Sequence, residues 1–558
     1  MVKVLKALCA ALLLAMPGVA MSQSVPLALK QALPEVDRIF ADFHVASHSP
    51  GLVYGIVADG RLVHVKSFGV QDLTARRPVT SGSLFRIASM TKAFTALAIL
   101  RLRDEGRLSL DAPAETFVPE LRSWRYPTAD SPRITIRHLL THTAGFVTDN
   151  PWGDRQQPLP EADFTAMLRQ GVAFSRPPGT AMEYSNFGYA LLGRIVANVS
   201  GRPYRTYVEQ TLLKPLGMTS TGFEVSEAPV ERRALGYRWE AGKWTLEPEM
   251  AHGAFAPMGG LQTSPSDYAR YVAWLLLAWP PRDGPEVGPV RRASIRELAE
   301  GSNFIQLQKR PGKTGDTACQ LAGAYGKGMN VVVDCDLGLT LGHSGGYPGY
   351  GSYMLLLPEH NVGIFALSNR TYQAPVAQVW DAAVALHNAG AWNDRTLPVS
   401  ALLAEAYKAA GIIYQAGDVA AAGDKLAMNF LMDRSAEAWR RELAGLKRWG
   451  GQCGTDDPIT PSSAMSGTFV WTCTRGSIRG ELLLSPSPRP SIQKLVLKHE
   501  LPWQVVALAA LAAGLILLIL VSFLRRESGG RKKAPHSRLA VHDDAPGAGS
   551  PGTRRRYR

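Results

Sequence analysis

Ser89 and Lys92 stand three residues apart in the stretch Ser89-Met90-Thr91-Lys92, where an apolar helical pattern begins. Residues three apart share one face of a helix, so the hydroxyl and the amine can meet. A serine hydroxyl is a weak nucleophile near neutral pH, and an adjacent amine held at a lowered pKa is one way to activate it. The chemistry this pair could do is acyl transfer. The same spacing recurs in Ser491-Ile492-Gln493-Lys494, but that stretch reads as a strand, where the third residue along points to the opposite face. Two further stretches carry groups of the right kind, Tyr184-Ser185-Asn186 and His343-Ser344-Gly345-Gly346. Taken locally, Tyr184 reads equally well as a core aromatic and Asn186 as a turn former. His138 and His142 lie four apart on a short helix with no acid between them, and read as packing and capping residues.

The elements that must position these groups follow from periodicity. Leu33 to Phe43 has helical spacing of apolar residues. Leu52 to Ala58 and Arg61 to Phe68 are β-rich runs separated by Asp59-Gly60, a strong hairpin signal. The helix after Ser89 runs through Leu102 and stops at Glu105-Gly106, which puts Ser89 at a helix N-terminus, where backbone N–H groups favour a developing oxyanion. Ser264-Pro265-Ser266-Asp267 is another helix start. Tyr350 to Leu357, the turn Pro358-Glu359-His360-Asn361 and Val362 to Ser368 read as an antiparallel meander, followed by a helix from Pro375 to about Leu386. Strands at both ends with helices between predict an α/β (α+β) unit whose one sheet is built from its two termini and carries helices on its faces.

Together these stretches resemble the serine β-lactamase and penicillin-binding-protein family, in its class C β-lactamase and DD-carboxypeptidase branch, over roughly Leu33 to Ala389. The resemblance implies an antiparallel sheet with helices on both faces plus a mainly helical subdomain. It implies Ser89 as the acylated nucleophile, Lys92 as its neighbouring amine and Tyr184 as the proton shuttle. Asn186 matches the residue that bonds the substrate amide, and His343 and Gly345 belong to the third motif on the strand beside the site. Backbone N–H groups of Ser89 and Gly346 match the oxyanion hole. No cofactor or metal is implied. Two positions depart from the pattern. Histidine replaces the lysine that opens the third motif of class C β-lactamases, exchanging a permanent cation for a group largely neutral near pH 7. Ala144 stands where serine is frequent.

Bulk properties set the context. The chain has 558 residues, 46% hydrophobic and 19% charged, with a formal net charge of +14. Lys3 and Lys6, the apolar run Ala7 to Met16 and the small residues after Pro17-Gly18 read as a signal peptide over residues 1–22. An uncharged run from Val505 to Leu524, led by Trp503, reads as a transmembrane helix over 503–524. The tail 525–558 has ten Arg and Lys against three acids, which the positive-inside rule places in the cytoplasm. The expected location is therefore the bacterial inner membrane, single pass, with the catalytic part periplasmic. Half of the basic excess is then a topology signal, and the charge carries no nucleic-acid reading.

The hydrolase domain is expected over 25–390 and a small α+β accessory domain over 398–501. Beyond Cys9 in the signal, Cys319, Cys335, Cys453 and Cys473 allow three disulfide pairings; the local pairs, Cys319 with Cys335 and Cys453 with Cys473, are the expected ones. No CxxC spacing favours a metal. The expected function is a serine hydrolase acting through an acyl-enzyme on a peptide, amide or ester, with D-Ala-type cell-wall peptides leading. A class C-like β-lactamase and a non-hydrolytic penicillin-binding sensor are the alternatives. The expected partners are a small-molecule or peptide substrate, possible classes being cell-wall peptides and β-lactams, and the membrane through the C-terminal helix.

Overall fold

A computed structural model describes residues 26–311, 318–392, 394–500, 514 and 516–519. They fall into two units that divide between Leu397 and Pro398. The first unit opens with α1 (Leu27–Ala46), which buries Leu29, Val36, Phe40 and Phe43. β1 (Gly51–Ala58) and β2 (Arg61–Asp72) pair antiparallel across Asp59-Gly60. Both turn residues have positive φ, 50° and 76°, as a two-residue hairpin with right-handed strand twist requires. The strand β3 (Arg77–Pro78) follows, then α2 (Thr91–Asp104), α3 (Ile136–Leu140), α4 (Asn186–Ser200) and α5 (Pro265–Leu276). The chain then returns to the sheet as β4 (Asn303–Pro311), β5 (Ala318–Tyr325), β6 (Asn330–Asp334), β7 (Gly338–Tyr347), β8 (Tyr350–Leu357) and β9 (Val362–Ser368), and α6 (Val376–Asn388) follows.

These nine strands form one antiparallel sheet in the order β3-β2-β1-β9-β8-β7-β6-β5-β4. The two ends of the unit therefore meet at β1 and β9, with Leu52 opposite Ser368 and Ala58 opposite Val362. Side chains alternate across a strand, and β1 shows why its residues are nearly all apolar. Leu52, Tyr54 and Ile56 pack with α1 and α6 on one face. Val53 and Val57 join the core of α2 and α5 on the other. The α+β reading, with helices on both faces of an antiparallel sheet, is what the chain adopts.

In the second unit α7 (Ala401–Ala416) and α8 (Ala436–Gly450) accompany an antiparallel sheet of β10 (Thr460–Ser463), β11 (Ser466–Thr472), β12 (Ser477–Leu484) and β13 (Ile492–Glu500). Its core holds Leu403, Ile413, Leu443, Trp471 and Leu482. Both local disulfides form, Cys319–Cys335 and Cys453–Cys473. The second closes a loop with a sequence separation of 20, a length whose closure restricts the unfolded chain by about 3 kcal/mol. Replacing Cys453 and Cys473 together by Ala is therefore expected to destabilise this unit by about 3 kcal/mol. Denaturant unfolding followed by the fluorescence of its tryptophans reads the change.

The expected single-pass location in the inner membrane is corrected. Among the described residues no helix is long and apolar enough to cross a membrane. The longest described helix, α1, has the 20 residues a span needs, but it carries Lys30, Glu35, Asp37, Arg38 and Asp42, which are costly in hydrocarbon. Of the predicted span 503–524 only 514 and 516–519 are described. The rest of it, the predicted signal peptide and the predicted cytoplasmic tail lie outside the described residues.

Candidate active site

The turn that carries Ser89 is held from two sides. Ala88 has φ of 50°, in the left-handed region that residues with a Cβ seldom occupy. On the sheet side, Ser352 Oγ of β8 donates to the Ile87 carbonyl at 2.8 Å. Gly345 of β7 comes so close that a Cβ there would run into the Ile87 carbonyl oxygen and the Ser352 hydroxyl. Neither the turn nor the strand can yield without moving Ser89. Gly345→Ala is expected to cost about 1–3 kcal/mol of stability through overpacking and to slow any reaction that uses Ser89. Thermal unfolding alongside hydrolysis rates measures both effects.

Lys92 lies in the first turn of α2, a helix buried on nearly every side. Its side chain is fully buried. Nζ sits 3.0 Å from Ser89 Oγ, 2.7 Å from Asn186 Oδ1 and 2.8 Å from the Met258 carbonyl oxygen. Burial pulls its pKa from 10.5 down to about 7, against the opposing pull of Asp154 and Asp149. The ammonium also lies 4.8 Å over the Tyr184 ring. Tyr184 is half-buried and lines the same cleft as Ser89. Burial pushes that phenol well above its ordinary value. Tyr184 is thus a neutral donor at any physiological pH.

Asn186 is the first residue of α4, whose exposed N–H groups are met by a carboxylate. Asp149 accepts from Asn186 N and from Phe187 N, both at 2.7 Å, and the Ser185 hydroxyl caps Gly188 N at 3.2 Å. The Asn186 side chain is fully buried. Its amide oxygen accepts from Lys92, and its Nδ2 donates to Asn150 Oδ1 and, at 3.4 Å, to Asp154 Oδ1. Both ends of the amide are therefore engaged within the protein.

His343 lies on β7. Its Nδ1 donates to the Ser344 carbonyl at 2.6 Å, so Nε2 is the acceptor for the Tyr325 hydroxyl at 3.0 Å. Burial, then Lys92, pushes its pKa down to about 3. His343 therefore contributes a neutral ring. His138 reciprocates with Thr135 in a capping box at the start of α3. His142 accepts from Ser185 N at 3.1 Å and packs 4.3 Å from the Tyr184 ring and 4.6 Å from that of Tyr325. It helps to seat the tyrosine as well as closing the turn.

Ser89, Tyr184, His343, Ser344 and Gly346 open into one cleft of about 550 Å³, together with Asn150, Asp154, Asn330 and Tyr372. Lys92, Asn186 and Gly345 stand directly behind these residues. Sequence reasoning missed Asp149, Asn150, Asp154, Tyr325 and Tyr372. Their signal was faint: Asp149-Asn150-Pro151 has turn composition, and Asp154 is the acid of a four-residue helix, Trp152–Arg155. The second serine–lysine match is not a pair. Ser491 bonds to Ser485, and Lys494 reaches Glu481 at 2.8 Å from a strand exposed on that side.

Comparison with known proteins places this geometry among relatives. A family model described as Beta-lactamase matches residues 36–389. The chain is 30% identical over 339 residues to Protein flp of Staphylococcus aureus (strain N315), covering 60% of this chain and 62% of that protein. It is 27% identical over 328 residues to penicillin-binding protein 4* of Bacillus subtilis (strain 168), covering 56% and 66%. The chain thus spans about 62% of the length of the first of these relatives. Among solved structures, that of the octameric penicillin-binding protein homologue from Pyrococcus abyssi superposes with a TM-score of 0.52 at 23% identity, covering 84% of this chain and 98% of that one, a likeness of fold.

Proposed function

We propose, from the premise that this chain belongs to the beta-lactamase family and is a serine hydrolase of it, that Ser89 forms an acyl-enzyme with a peptide, amide or ester substrate. The observation that carries this reading is the contact of 3.0 Å between Ser89 Oγ and the buried Nζ of Lys92. Asn186 Oδ1 and the Met258 carbonyl can only accept, so a neutral amine spends its two protons on them. Its lone pair is left for the Ser89 proton. Ser89 then attacks the carbonyl, and the N–H groups of Ser89 and Gly346 hold the oxyanion. Tyr184 gives its proton to the leaving group. Its phenolate is a strong base in that buried setting, so it recovers a proton from the Lys92 ammonium at once. Water then cleaves the ester by the reverse route.

D-Ala-type cell-wall peptides are the leading substrates, on the resemblance to DD-carboxypeptidases. The neutral His343 speaks against a dedicated β-lactamase, since it offers a substrate carboxylate no permanent cation. The test treats the protein and its Ser89→Ala variant with a fluorescent penicillin, a fluorophosphonate and a chromogenic ester. Label and turnover that vanish with Ser89 support the reading. Equal behaviour of the two proteins defeats it.

A further inference from the structure

Asp154 is the buried titratable group in the cleft for which the proposed reaction has no use. It is 3% exposed, yet its carboxylate lines the same cleft as Ser89. Among the described residues its oxygens receive only the Tyr372 hydroxyl at 3.1 Å and the Asn186 amide at 3.4 Å. Asp149, by contrast, is engaged by two backbone N–H groups at a helix start. Among the described residues that line the cleft there is no lysine or arginine. Arg155, next to Asp154 in sequence, turns to Glu247 at 3.8 Å. Burial raises the Asp154 pKa to about 6, so above that pH the cleft offers a substrate one charged side chain, and its sign is negative.

We propose that Asp154 seats a primary ammonium of the substrate close to the scissile carbonyl, so that the cleft selects amino-acyl amides and esters with a free amine. The inference rests on the acyl-enzyme reading above and names its substrate class. Charge balance supplies the physical reason. While Lys92 is protonated it balances Asp154 through the intervening Asn186 amide. To accept the Ser89 proton it must first be neutral, which leaves a buried carboxylate with only Arg155, itself paired with Glu247, as a counter-charge. An ammonium brought in by the substrate restores that balance. The same positive charge disfavours protonation of Lys92, so binding the right substrate prepares the base. The groups that face Asp154 are Lys92 on α2, Asp149, Tyr372 and Arg155, and none of the other three supplies the missing positive charge within the cleft.

The experiment compares D- and L-alanine p-nitroanilides and p-nitrophenyl esters, each with a free and with an acetylated amine, on the full chain and on Asp154→Asn. The expected result is a kcat/KM at least about tenfold higher for the free amine, with that ratio falling at least about tenfold in Asp154→Asn, chiefly through KM; paired buried charges have couplings of this size. Absence of the preference in the unaltered protein overturns the inference, and that measurement needs no folded variant. So does a preference that survives Asp154→Asn, or equal slowing of both substrate forms, which would make Asp154 a positioning residue for Lys92. If Ser89 takes up fluorophosphonate but no free-amine substrate turns over, the inference fails while the acyl-enzyme reading stands. If Ser89 is not labelled at all, the reading itself fails.

Discussion

Lys92→Met is expected to lower kcat/KM on acyl substrates by about 10³, the middle of the range for removing a positioned general base. The methionine fills the same buried tunnel but has no lone pair of comparable basicity for the Ser89 proton. The remaining donors to the oxyanion are untouched, so residual catalysis above the uncatalysed rate is expected. The unaltered protein carries a matching pH signature. Burial brings Lys92 to about 7, and only its neutral form can act as base. Activity should therefore rise as pH rises toward 7 and level off above it, with Asp154, which burial raises to about 6, titrating on the same limb. His343, at about 3, and Tyr184, held well above its ordinary value, do not titrate in that window. Linkage runs the same way. A lysine whose pKa is depressed by folding binds its proton more weakly in the native state, so its contribution to stability improves between about pH 7 and 10.5 and is least favourable below. Steady-state rates on a chromogenic ester between pH 5 and 9 check the first claim. A flat profile, or full activity in Lys92→Met, removes Lys92 as the base.

What could be read from the chain beforehand divides along physical lines. Local signals worked where one element decides the outcome. Asp59-Gly60 specified its hairpin, Ser89 and Lys92 met because three residues on a helix bring side chains together, and the two apolar runs either side of Pro358-Glu359-His360-Asn361 announced β8 and β9. The strands β4 to β6 went unread: β4 carries exposed Phe304 and Leu307 at the edge of the sheet, where neither face imposes a clean apolar period. The cleft was half legible. Tyr184 and His343 were singled out by the resemblance of their motifs to a known family, since locally Tyr184 reads equally well as a core aromatic. Asp154 was not, because its significance comes from Tyr372, 218 residues away, and from an amide that joins it to Lys92 across three separate segments. His142 illustrates the same limit. Its spacing from His138 predicted a structural residue, and it is one, but only the folded chain brings it against the Tyr184 ring.

Tyr184→Phe is expected to reduce kcat by about 10²–10³ while leaving the fold and the Ser89–Lys92 contact in place. The substitution removes one oxygen and keeps the ring that packs against His142 and lies under the Lys92 ammonium. Two steps lose their proton donor or acceptor, departure of the leaving group and attack of water on the acyl-enzyme. An ester with a good leaving group needs little help in the first step but full help in the second. The variant should therefore show a burst of product close to one equivalent of enzyme, followed by slow turnover, with the acyl group retained on Ser89. An amide, whose nitrogen must be protonated to leave, should show no burst. Rapid-quench kinetics with the paired ester and amide, read with mass spectrometry of the intact chain, separates these outcomes. A burst of the same size on both would move the leaving-group proton away from Tyr184 and onto Lys92, and unchanged turnover would remove the phenol from the reaction altogether.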